Sequence, residues 1–126
     1  MAKKTNKPEG VMMVFRTNGT NETKLLDSVP DLHTIREWLD GGYLEAVPHF
    51  TTINPDKGPL RKCVAFVDEE GKLAHKHLPP NAVATKFWEE SLNRLGVSLY
   101  ENGQMLDFLV GPCVVIWGNE PLMRKL

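Results

Sequence analysis

The segment Cys113-Val114-Val115-Ile116-Trp117 places five apolar residues in succession, so neither alternating set of side chains along it is polar. A strand points successive side chains to opposite faces of its sheet, and a strand wet on one face alternates apolar with polar residues. This run therefore predicts a central strand covered on both sides. The chain has 126 residues, 41% of them hydrophobic. That fits one domain, which can bury a core without a disulfide or a metal to hold it. Cys63 and Cys113 are the only two cysteines, and both lie inside apolar stretches, which predicts reduced core thiols in a cytoplasm. With 15 basic against 16 acidic side chains the net charge is −1, too little for a global attraction to nucleic acid or anionic membrane. The longest apolar runs fall far short of the ~20 residues of a membrane span, and the polar start Met1-Ala2-Lys3-Lys4-Thr5-Asn6-Lys7 has no signal-peptide core behind it.

Residues 1–10 contain Lys3, Lys4, Lys7 and Pro8 and are expected to form a flexible arm, with 11–126 as a single domain. Val11 to Arg16 predicts a strand, Asn18-Gly19 a turn, and Thr23 to Leu26 the return arm of a hairpin. Ser28 and Asp31 form a variant capping box around Pro30, and Leu32, Ile35, Trp38 and Leu39 follow on one face of a helix that Gly41-Gly42 ends. Tyr43 to Phe50, with Pro48 near its end, predicts an edge strand, and Thr51 to Pro59 a loop. Lys62 to Val67 predicts a strand that Asp68-Glu69-Glu70-Gly71 turns back through Lys72 to Leu78 as a hairpin. Asn81 caps a second helix reaching about Leu95, with Val83, Ala84, Phe87, Trp88, Leu92 and Leu95 apolar and Gly96 as its stop. Val97 to Glu101 and Gln104 to Leu109 flank Asn102-Gly103 as a further hairpin. The expected class is α+β: a mostly antiparallel sheet with the two main helices packed on one face.

Four segments stand in order within the span from roughly 11 to 117: Gly41-Gly42-Tyr43-Leu44-Glu45-Ala46-Val47-Pro48, Val67-Asp68-Glu69-Glu70-Gly71-Lys72-Leu73, Leu78-Pro79-Pro80-Asn81-Ala82-Val83-Ala84-Thr85 and Val110-Gly111-Pro112-Cys113-Val114-Val115. In them the chain resembles a family of small uncharacterised proteins found mainly in bacteriophages, plasmids and other mobile elements. Against that pattern residues 96–109 look like an insertion. The family carries no agreed activity, so the resemblance implies no catalytic residue. It implies a host-cell cytoplasmic setting and an accessory role, such as modulating the host or its defences.

Several groups of residues bear on chemistry. His75 and His77, two apart, would share one face of a strand, but a closed metal site needs further ligands, and the expectation is a solvated strand face without metal. Asp68, Glu69 and Glu70 diverge around a turn and lack the spacing of a calcium loop. Asn81 and Thr85 are four apart at the positive start of the second helix, where they would either cap it or help hold an anion such as a nucleotide phosphate. Glu45 and Asp68, on the neighbouring sheet, could face the same helix end. These four residues are the candidate ligand-binding set. No Gly-x-Ser-x-Gly elbow, Walker-type or dinucleotide glycine motif is present, and apolar neighbours would raise both thiol pKa values, so no catalytic residue and no cofactor are expected. Arg61-Lys62, Arg94 and Arg124-Lys125 are scattered without interleaved aromatics, which argues against nucleic acid. Trp38, Met105 and Phe108 are candidate interface residues, because Trp, Met and Phe are enriched in interface cores.

Two functions compete on this evidence. The first is a non-catalytic phage or mobile-element accessory protein that binds a host protein or a small anionic ligand, with homo-oligomerisation in prospect. The second is a small nucleotide-acting enzyme, which requires Glu45, Asp68, Asn81 and Thr85 within about one ligand width at the start of the second helix.

Overall fold

A computed structural model describes residues 8–126. Eleven elements follow in chain order: β1 (Gly10–Phe15), β2 (Asn21–Leu26), α1 (Leu32–Trp38), β3 (Leu44–Ala46), β4 (Thr52–Ile53), β5 (Arg61–Asp68), α2 (Ala82–Arg94), β6 (Tyr100–Glu101), β7 (Gln104–Met105), β8 (Cys113–Gly118) and α3 (Glu120–Met123). Six strands make one antiparallel sheet in the order β2-β1-β8-β5-β3, with β4 also on β5. Strands β6 and β7 form a separate ribbon. The class is α+β on an antiparallel sheet, as the sequence predicts.

The two-sided strand is β8, hydrogen-bonded between β1 and β5 and buried at every residue from Cys113 to Trp117. Alternation sorts its side chains into two cores. Cys113, Val115 and Trp117 join Phe15, Ala65, Trp88 and Leu92 on the α2 side, while Val114 and Ile116 join Met12, Val14, Ile35 and Leu122 on the side of α1 and α3. The helices thus lie on opposite faces, which corrects the expectation that both main helices pack on one. The physical reason is in the strand: two helices on one face would leave Val114 and Ile116 in water, at about 1.5–3 kcal/mol for each exposed side chain.

Asp31, rather than Ser28, caps α1, its carboxylate accepting the Thr34 N–H at 2.8 Å, and Gly41 at φ +84° follows the helix end. Ile35 and Leu39 are buried and Trp38 half-buried, whereas Leu32, expected on the apolar stripe, is 60% exposed. α3 lacks an expected counterpart; Asn119 caps it and the buried Leu122 seats it beside α1's core.

The hairpin expected from Lys72 to Leu78 does not form. β5 already has β8 along one edge and β3 then β4 along the other, so no edge is left for a returning strand. Residues 72–78 instead fold into turns closed by Leu78 N–H to Gly71 O at 2.8 Å and His77 N–H to Leu73 O at 2.7 Å. His75 and His77 therefore share no strand face. Of the edge strand predicted from Tyr43 to Phe50 only Leu44–Ala46 forms, as β3, and the two-residue β4 lies where a loop was expected. Between them Pro48 and His49, at φ +62°, divert the chain from the sheet. At the other end Gly10 already belongs to β1, and Glu9 donates to Leu26 O at 2.7 Å and accepts from Asn119 N–H at 2.8 Å. Residues 9 and 10 thus lie in the fold rather than in the expected arm, of which residues 1–7 lie outside the described residues.

Candidate functional site

The diverted segment between β3 and β4 leaves backbone groups without a ladder partner, and buried orphans of this kind must be satisfied elsewhere. α2 satisfies them. Trp88 Nε1–H donates to Pro48 O at 2.9 Å, Ser91 Oγ–H donates to His49 O at 2.8 Å, and Ser91 Oγ accepts the N–H groups of Thr51 and Thr52 at 2.9 and 3.3 Å. One turn and more toward the N-terminus, the same sheet-facing stripe carries Thr85 and Asn81.

Asn81 is 1% exposed and fully engaged. Its Nδ2 donates to Phe15 O at 2.8 Å and to Gly111 O at 2.9 Å, and its Oδ1 accepts Ala84 N–H at 3.0 Å as the helix cap. Thr85 Oγ1 donates to Asn81 O at 2.8 Å and accepts Leu109 N–H at 3.0 Å. Both side chains tie the end of β1, the chain at 109–111 and the start of α2 into one junction. Neither has a donor left for an anion.

Asp68, 4% exposed at the end of β5, accepts Glu70 N–H at 2.9 Å through Oδ1 and pairs with Lys76 through Oδ2. A Cβ at Gly42 would meet the Asp68 carboxylate at 2.4 Å, so only glycine lets the end of α1 pass this close. Glu45, on β3 opposite Val67, is exposed.

The four candidate ligand residues fall into two separate cavities. Glu45 and Asp68 border one of about 110 Å³, together with Glu69, Lys72 and Asp107. Asn81 and Thr85 border another of about 380 Å³, whose walls are Pro80, Ala82, Tyr100, Met105 and Phe108, with Lys86 and Glu89 at its rim. Phe108 lines both. The convergence that a nucleotide site at the start of α2 requires is therefore not made. A pocket at that helix end exists, but it is walled by apolar and aromatic surface.

The candidate interface residues likewise split. Trp38 packs against the α1-side core, while Met105 and Phe108, 43% and 40% exposed, stand on the opposite side over α2. Their position comes from the β6–β7 ribbon, turned by Asn102 and Gly103 at φ +51° and +79° and anchored by the buried Leu99 and Leu109. Lys72 fastens the far side, pairing with Asp107 and lying 4.7 Å from the Phe108 ring centroid. Residues 96–109 thus furnish one wall of the larger groove.

Both thiols are buried. Burial pushes the Cys63 thiol up to about 12 and raises Cys113 as well, so neither is a thiolate nucleophile at neutral pH. Among the described residues no group of three His, Cys, Asp or Glu side chains is placed to hold a metal ion, and no helix is long and apolar enough to cross a membrane. Sequence reasoning missed Ser91, Trp88 and Tyr100 as parts of this region. The signal for Ser91 was present, a polar residue on the apolar stripe of α2.

No family model matches the chain, and comparisons with curated proteins and with solved structures find no match.

Proposed function

We propose that this protein is a non-catalytic binding module that takes an apolar segment of another protein into the groove between α2 and the β6–β7 ribbon. The observation that carries the reading is the groove's make-up. Tyr100, Met105 and Phe108 remain 40% or more exposed around a space of about 380 Å³, held there by the Leu99 and Leu109 anchors. Large apolar side chains left exposed around one concavity mark an interaction surface rather than scattered surface hydrophobicity. Lys86 and Glu89, of opposite sign and one turn apart, give the rim polarity without a net field for an anion. A protein partner is therefore favoured over a small anionic ligand. The nucleotide-enzyme alternative loses its basis with the separation of Glu45 and Asp68 from Asn81 and Thr85.

The resemblance to mobile-element proteins supports the biological setting of this proposal: an accessory protein in the cytoplasm of a host cell, acting on a host protein. Photo-crosslinking in a bacterial host tests it. A crosslinking residue at Met105 or at Tyr100 is expected to trap one and the same host protein, and one at Leu32, on the opposite face, is expected to trap none. If neither groove position traps a protein while Leu32 does, the groove is not the binding surface.

A further inference from the structure

The two edges of the main sheet are built differently. On one, β3 is three residues long, Pro48 and the positive-φ His49 interrupt it, and β4 adds two residues. Short strands, proline and a kink are the ordinary means of blunting an edge against further pairing. The other edge, β2, runs six residues without proline or interruption, and its first five residues are exposed. Arg16 N–H donates to Thr20 O at 2.9 Å, which fixes the phase of the ladder. By alternation Glu22 and Lys24 turn their backbone groups to β1, while Asn21, Thr23 and Leu25 turn theirs outward. Among the described residues those outward groups have no partner.

We propose that two copies of this chain pair antiparallel through β2, about a two-fold axis at Thr23, to form one continuous sheet. The register follows from parity and charge. For the sheet to stay continuous, residues facing each other must point to the same side, which restricts the axis to a residue position along β2. An axis at Glu22 sets glutamate against glutamate, and one at Lys24 sets lysine against lysine. At Thr23, Glu22 of each copy faces Lys24 of the other, and the outward backbone groups of Asn21, Thr23 and Leu25 meet those of Leu25, Thr23 and Asn21. Glu22 and Lys24 occupy the non-hydrogen-bonded pairs, where facing Cα atoms are only about 4.5 Å apart and side-chain charge is felt most. Arg16, 2.7 Å from Glu22, adds a second cation to the same carboxylate. Leu25, 63% exposed and the most exposed large apolar residue described, gains cover in this arrangement. The surface is distinct from the groove over α2, so dimerisation and partner binding stand or fall separately.

Two charge variants, Glu22→Lys and Lys24→Glu, test this by native mass spectrometry across a concentration series. The wild-type chain is expected to dimerise. Each variant alone places like charges in both facing pairs and is expected to dimerise about tenfold more weakly or not at all. Mixed together, the two variants restore opposite charges in both pairs and are expected to form the heterodimer in preference to either homodimer. Thr23→Pro, which removes an outward N–H that the single chain does not use, is expected to give a monomer with the wild-type circular dichroism spectrum. A wild-type chain that stays monomeric throughout, a dimer indifferent to both charge variants, or a mixture with no heterodimer preference overturns the proposal.

Discussion

The two faces of the central sheet are covered by different means. On the side of α1 and α3 the cover is apolar: Ile35, Leu39 and Leu122 pack against Met12, Val14, Val114 and Ile116, and no side chain of α1 reaches across the sheet to bond a distant backbone group. On the other side α2 buries Asn81, Thr85 and Ser91, and each of them bonds backbone that has left regular structure. The difference teaches how to weigh a polar stripe on a helix. Where the sheet edge is broken and the following chain crosses irregularly, buried polar side chains replace the missing ladder, and their presence reports the irregularity rather than a ligand. The proposed binding is accordingly placed in the exposed apolar groove beside that stripe.

Substitutions on the two faces should therefore differ in kind. The largest effect is expected at Asn81→Ala, which orphans Phe15 O and Gly111 O and removes the α2 cap, at about 3–4 kcal/mol in chemical denaturation. On the apolar face Ile35→Ala is expected to cost about 2–4 kcal/mol, yet Ile35→Val only about 1, because that face asks for volume and not for a particular donor. A cost at Asn81→Ala no larger than that of an ordinary surface substitution would erase the contrast.

Smaller effects sharpen it. Ser91→Ala leaves His49 O without its donor and Thr51 N–H without its acceptor, for an expected loss of about 2 kcal/mol and faster hydrogen exchange at Thr51 and Thr52. The smallest effect belongs to the exposed cap of α1. The Thr34 N–H holds the Asp31 carboxyl below its ordinary value of 3.8, so the stabilisation is present above about pH 3.8 and is lost as pH falls through the lowered folded value. Asp31→Ala is accordingly expected to lower the melting temperature slightly at pH 7 and to match wild type under strongly acid conditions, as thermal melts at the two pH values will show.

Local chemistry made part of this legible in advance. The start of α2 at Asn81 and its end before Gly96, the Asn102-Gly103 turn, and the burial of Cys113 to Trp117 all rest on residues a few positions apart. What was not legible depends on competition between distant segments. Asp68 to Gly71 is a sound turn, but whether Lys72 to Leu78 pairs with β5 was decided by β3, β4 and β8, which had taken both edges. The spacing of Asn81 and Thr85 showed that they share a side of α2. It could not show that Phe15, Leu109 and Gly111 supply their partners, since those lie up to 66 residues away. The helix faces are the instructive miss, because the two-sided β8 run already required cover on both sides.

The most direct measurement is crosslinking from Tyr100 in a Phe108→Asp background, with the denaturation midpoint taken on the same preparation. Phe108 is 40% exposed and makes no buried hydrogen bond, so the change is expected to cost only about 1 kcal/mol while abolishing the crosslinked product. A product that persists undiminished with aspartate at position 108 would contradict the placement of function in the groove.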